Sequence, residues 1–94
     1  MKSYLRKLTP TEVKRHYIYV TTDHRDILPK MGEPFKIWIN EEKMEAKLDA
    51  QGRIWLDWRA FEDLKSGDTV ELIRNPDGTF SLEAVGNEEE KEGN

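Results

Sequence analysis

The chain has 94 residues, 36% hydrophobic and 36% charged, with three Trp, three Tyr, three Phe and no cysteine. A length of that order makes one domain burying roughly 60–65% of its extended surface, and the missing thiols exclude disulfides and thiolate metal sites. No run approaches the roughly 18 apolar residues of a membrane helix, and the N-terminus lacks the apolar stretch of a signal peptide, so a cytoplasmic protein with no membrane partner is expected.

The formal net charge of -4 weighs against a nucleic-acid partner until its distribution is considered. Residues 1–16 carry five basic side chains against Glu12, residues 17–85 nine basic against fourteen acidic, and residues 86–94 one basic against four acidic. One end is basic and the rest is not.

Period-two alternation dominates the chain from its start. A first strand is expected near Tyr4 to Leu8, then a polar, basic insert, then a second strand from Tyr17 to Val20. Thr22 to Leu28 reads as a short helix capped by Thr22 and ended by Pro29. Phe35, Ile37 and Ile39 share one face of a third strand, and Met44, Ala46 and Leu48 one face of a fourth, joined through Asn40-Glu41-Glu42. Asp49-Ala50-Gln51-Gly52 turns the chain into a fifth strand, Arg53 to Leu56, where Gly52 can take positive φ.

Asp57 is a good N-cap for a second short helix, and the spacing of Trp58, Phe61 and Leu64 puts all three on one buried face. Strands around Val70 to Leu72 and Phe80 to Leu82 follow, linked by Asn75-Pro76-Asp77-Gly78, a sequence suited to a type I turn with a left-handed residue after it. The last segment, GNEEEKEGN, has no apolar residue and a like-charge run; residues 86–94 are expected to be a disordered acidic tail beyond a domain spanning 1–85.

The halves repeat. Strand, short helix, Leu, Gly-acid turn, strand occurs twice: Ile18 matches Ile54, Val20 Leu56, Leu28 Leu64, Gly32 Gly67 and Phe35 Val70, with one residue of slippage at the turn. The fold expected is mainly β with two short helices, a single-chain seven-stranded pseudobarrel with a pseudo-two-fold repeat.

The segment WRAFEDLKSGDTVEL, Trp58 to Leu72, resembles the Trp-x-x-Phe…Leu-x-x-Gly-Asp-x-Val signature of the B3 DNA-binding domain of plant transcription factors and, in related form, of the effector domains of some restriction endonucleases. KLTPTEVKRHYIYV, Lys7 to Val20, is similar to that family's first arm, and the resemblance covers roughly residues 3 to 85. The second half is also similar to the swapped-hairpin AbrB-type regulators, which are about half this length and dimerise to close their barrel. In this chain Asp57 stands where B3 domains usually have a Gly, Ile18 where many have a further arginine, and the overall charge is acidic where many are basic.

The resemblance implies double-stranded DNA as partner, gripped in the major groove by two arms, here Thr9 to Tyr17 and Asp49 to Arg53. Carried over, the contacts are Lys7, Thr11, Lys14, Arg15 and His16 from the first arm and Gln51 and Arg53 from the second. The chemistry suits them: an Arg fork pairs with guanine O6 and N7, Lys supplies a point charge for phosphate, and Gln suits adenine N6 and N7.

Catalysis has little support. His16 and His24 lack a third ligand at metal spacing, and no phosphate-binding glycine loop, nucleophile elbow or acid pair is present. The expectation is a monomeric, non-enzymatic protein with no metal, no cofactor and no small-molecule substrate. The alternatives are a protein-interaction module on the same barrel without DNA binding, or an AbrB-type dimeric regulator.

Overall fold

A computed structural model describes residues 3–85, so the expected tail at 86–94 lies outside the described residues. Seven strands form: β1 (Ser3–Lys7), β2 (Tyr17–Tyr19), β3 (Phe35–Ile39), β4 (Glu42–Ala46), β5 (Arg53–Trp55), β6 (Thr69–Arg74) and β7 (Phe80–Val85). They match the alternating segments of the sequence. In β3, Phe35, Ile37 and Ile39 are buried while Lys36 and Trp38 are exposed, as a pleat with one face on a core requires.

The strands make a five-stranded mixed sheet, ordered β1-β6-β7-β3-β4, and a separate two-stranded ribbon, β2-β5. All pairs are antiparallel except β3 with β7. The core between them includes Tyr4, Ile18, Val20, Ile37, Ile54, Phe61, Val70, Leu72 and Phe80.

A closed seven-stranded cylinder does not form. β1 and β4 end the sheet as edges, and β2 and β5 pair with each other as three-residue strands. A single bridge, Leu48 to Ile54, and a hydrogen bond from the Tyr4 hydroxyl to the Tyr19 carbonyl (2.9 Å) tie ribbon to sheet. The reason lies in the segments entering the ribbon. A helix precedes β2 and a tight turn precedes β5, so neither strand runs on far enough to extend the ladders of β1 and β4.

The helix in question, α1 (Pro10–Arg15), occupies the insert that the alternation had left without structure. Its signal was present in Thr9-Pro10-Thr11-Glu12. Thr9 caps the Glu12 amide (3.2 Å), the Glu12 carboxylate accepts from the Thr9 amide (2.9 Å), and Pro10 fills the first turn where no N–H is needed. His16 closes the helix in the left-handed region at φ 70.

Both helices expected from the sequence are 3-10 helices, at Thr22–Ile27 and Trp58–Phe61. The second turns Ala60 and Phe61 inward together, not the i, i+3 stripe of an α-helix. Trp58 is therefore 57% exposed, against the expectation, whereas Phe61 is 5% exposed.

The repeat recurs as hydrogen bonds. Ile18 pairs directly with Ile54. The Val20 amide donates to the Gly52 carbonyl and the Leu56 amide to the His16 carbonyl, the same bond displaced by one repeat. His24 to Thr21 matches Ala60 to Asp57, and Leu28 to Arg25 matches Leu64 to Phe61. Past the slippage, Gly32 donates to Leu48 as Gly67 donates to Leu8, both glycines at positive φ. β1 lies on β6 as β4 lies on β3, and β7 alone has no counterpart.

The hairpin turns follow their residues. Asn40 and Glu41 both take positive φ (51 and 68), the pattern of a two-residue type I′ loop. Asn75 to Gly78 forms the expected turn, with Gly78 at φ 93 and its amide donating to the Asn75 carbonyl.

Replacing Phe61 by Ala should cost about 3–5 kcal/mol, whereas Trp58→Ala should stay within about 0.5 kcal/mol of the parent. Urea unfolding of the two variants checks the difference.

Candidate nucleic-acid interface

The first arm is set by a buried carboxylate. Glu12 is 1% exposed, yet every oxygen is answered: Arg6 Nε donates at 3.0 Å and Nη2 at 3.2 Å, the Thr9 amide at 2.9 Å and the Tyr19 amide at 2.7 Å. One side chain thus joins β1, the start of α1 and β2. Partial burial works against the Arg6 charge, but the Glu12 carboxylate outweighs it and raises the guanidinium pKa.

With Glu12 inside, the opposite side of α1 faces solvent. Thr11, Lys14 and Arg15, spaced i, i+3 and i+4, line one shallow hollow with Pro10. Lys14 and Arg15 are exposed and form no ion pair among the described residues. They sit in the last turn, where cations also suit the helix dipole.

The second arm is organised by Asp49. One carboxylate oxygen accepts the Gln51 and Arg53 amides (both 2.9 Å), and the other accepts Arg53 Nε (3.2 Å) and the Trp55 indole N–H (2.8 Å). Arg53 also donates to the Gln51 side-chain oxygen at 3.0 Å. Partial burial pushes the Asp49 pKa upward, but the Arg53 amide, the Trp55 indole, the Gln51 amide and the Arg53 charge together hold it below the ordinary carboxylate value.

Between the arms lies the outer face of the ribbon. Ile18 and Ile54 fill the inner face, so alternation turns Tyr17, Tyr19, Arg53 and Trp55 outward. Arg53 lies over both Tyr17 (5.6 Å) and Trp55 (5.3 Å), whose rings meet at 4.8 Å. Arg6 and Arg25 lie over Tyr19 at 5.4 and 5.8 Å. The ribbon's outer surface is a layer of aromatic rings covered by three guanidinium groups.

Arg25 explains a glycine. It donates to the Val20 carbonyl (2.9 Å) and fills the space beside Gly52, where a Cβ would meet its Nη2 at 2.1 Å. Gly52 also stands at φ 88, so the second arm needs glycine there on both counts.

The structure therefore brings Thr11, Lys14 and Arg15 together on α1, and Gln51 and Arg53 together on the second arm, with Tyr17 bridging to Arg53. Two of the expected residues stand differently. Lys7 is exposed on the side of β1 opposite Arg6, and the His16 ring packs against Phe61 at 5.6 Å. Arg25 and the internal role of Asp49 were not evident from the sequence, whereas Glu12, which would repel phosphate, could be read as capping or orienting the arm, and the capping box with Thr9 is what forms. No group of three His, Cys, Asp or Glu that could hold a metal occurs among the described residues, and none of their helices is long and apolar enough to cross a membrane.

No family model matches the chain, and no curated protein matches it. In structure it is similar to the N-terminal domain of Helicobacter pylori LlaJI.R1, with a TM-score of 0.66 and 13% sequence identity over 90% of this chain and 88% of that one. That likeness establishes a shared fold.

Glu12→Ala should lower stability by about 2–3 kcal/mol, toward the small end because Arg6 is 23% exposed and can turn to water; thermal unfolding measures it. The Asp49 pKa is depressed on folding, so the stability it contributes is present above the ordinary carboxylate pKa and is lost as pH falls through the lower folded value. The Trp55 indole N–H resonance should accordingly titrate with a midpoint below the ordinary aspartate value of 3.8.

Proposed function

We propose that the protein binds double-stranded DNA without catalysing a reaction on it, using α1 and the Asp49–Arg53 turn as two arms entering the major groove. The observation that carries this reading is the exposed pair Lys14 and Arg15, which no carboxylate engages among the described residues. Arg6, Arg53 and Arg59 each hold an internal carboxylate partner. The two cations on α1 are thus available to phosphates and base edges at little desolvation cost.

The roles divide by chemistry. Lys14 is the phosphate contact and Arg15 the groove contact, with Thr11 bonding a phosphate oxygen beside them. On the second arm the Gln51 amide nitrogen is the base-reading group, while Arg53 braces the arm through Asp49 and adds positive potential over the ribbon. Lys7 and His16 lie at the margin, the first as added charge and the second as packing that fixes the end of α1.

The acidic balance is compatible with this reading because many carboxylates sit on other elements. Glu71 and Glu83 face each other across β6 and β7, and Glu45 lies opposite Lys36 on β3 and β4. The B3-like resemblance, the recurring hydrogen bonds of the two halves and the shared fold with the LlaJI.R1 domain support a B3-like pseudobarrel, monomeric and cytoplasmic, serving as a regulator or as an accessory of a mobile element or restriction system.

A protein-interaction module is the second reading, favoured by the exposed Leu5, Trp38 and Trp58. Titration of a random duplex across a salt series separates the two. Neutralising four to six phosphates gives a log-log slope of about -4 to -5, whereas a module without DNA affinity binds nothing even at low salt. Lys14→Glu with Arg15→Glu should abolish duplex binding while lowering the melting temperature only slightly, by the loss of two favourable charges at the end of α1; undiminished affinity would remove the site from α1.

A further inference from the structure

Trp55 is the one ring of the ribbon's outer face that keeps a large open surface, at 40% exposure. It is not free to swing. Its indole N–H is fixed by Asp49 at 2.8 Å, Tyr17 meets it at 4.8 Å with planes 55° apart, and Arg53 lies 5.3 Å from its centre. A tryptophan held in this way is a rigid wall.

That wall bounds a hollow of about 400 Å³, lined also by Gly32, Glu45, Ala46, Lys47, Leu48 and Asp49. Gly32 presents no side chain there and stands at φ 83, and a Cβ built on it would meet nothing within 4 Å. The size falls in the range of small-ligand sites.

Three features select the occupant. The aromatic wall and the Ala46 and Leu48 lining favour a flat group with an apolar face. β4 is an edge of the sheet, so one side of its backbone has no strand partner and is available as donors and acceptors to a polar rim. Lys47 and Glu45 place a cation and a carboxylate at the same hollow, a donor and an acceptor for a phosphate and an amino group, and Asp49, which also lines it and is held by Arg53 and Trp55, opens the second arm.

A nucleobase meets all three requirements, having a π face, a hydrogen-bonding edge and a phosphate attached. An extended peptide added to β4 fits less well, because Glu42, Lys43, Glu45 and Lys47 set alternating charges along that edge. We propose that the hollow beside Trp55 receives a single base displaced from the stack of the bound DNA. This rests on the DNA-binding reading and deepens it: α1 and the Asp49–Arg53 turn hold the duplex, and Trp55 takes up the base that leaves it.

The test compares two fluorescently labelled duplexes of identical sequence, one fully paired and one with a single extrahelical nucleotide at its centre, by anisotropy at one salt concentration. Unstacking is already complete in the second, so the wild-type chain should bind it roughly fivefold or more tightly than the first. Trp55→Ala should bring that ratio to about one, and Trp55→Phe, which keeps a stacking face, should retain most of it.

Equal affinity of the wild type for the two duplexes, or a preference that survives in Trp55→Ala, overturns the proposal and returns the hollow and the β4 edge to a peptide partner. A chain that binds the paired duplex through Lys14 and Arg15 without preferring the other loses only this inference. Failure to bind either duplex removes the DNA reading and this inference together.

Discussion

A single buried carboxylate determines where the first arm stands. Leaving a charge in a protein interior is costly unless its lone pairs are answered, and Glu12 has a guanidinium and two backbone amides to answer them. Because those partners come from β1, the helix start and β2, satisfying Glu12 fixes the geometry of all three at once. The exposed side of α1, with Lys14 and Arg15, follows from that choice of inside.

The second arm solves the same problem at a smaller scale. Asp49 gathers two amides, a guanidinium and an indole around a five-residue turn, as Glu12 does around a six-residue helix. In each arm the arginine bound to the carboxylate also lies over an aromatic ring of the ribbon, Arg6 on Tyr19 and Arg53 on Tyr17 and Trp55. Glu12 and Asp49 are thereby the internal framework of the two arms, and the net charge of the chain says little about the local potential around them.

Much of the fold was legible in the sequence. The strand positions followed from alternation because each strand buries one face, and the repeat was visible down to its one-residue slippage. What escaped was decided by turn type as well as by partners distant in sequence. The alternation around β2 and β5 does not show that a helix before one and a tight turn before the other cut both to three residues, so a closed cylinder was expected where a sheet and a ribbon form. Trp58 sat in a helical stripe, but the tighter 3-10 turn buried its neighbours Ala60 and Phe61 instead. Thr11, Lys14 and Arg15 lie together on α1 and Gln51 and Arg53 on the Asp49–Arg53 turn, Lys7 and His16 stand apart, and the bracing role of Arg25 depends on the absence of a side chain at Gly52, twenty-seven positions away.

β7 has a consequence for how the molecule is made. It is the strand without a twin, antiparallel to β6 and parallel to β3, and so it closes the five-stranded sheet between β6 and the β3–β4 hairpin. During vectorial synthesis the β3–β4 hairpin emerges with an open flank that only residues 80–85 can cover, and a parallel, long-range pairing of this kind is slow to find. The nascent chain must therefore carry an uncovered margin of β3 until residues 80–85 have been made.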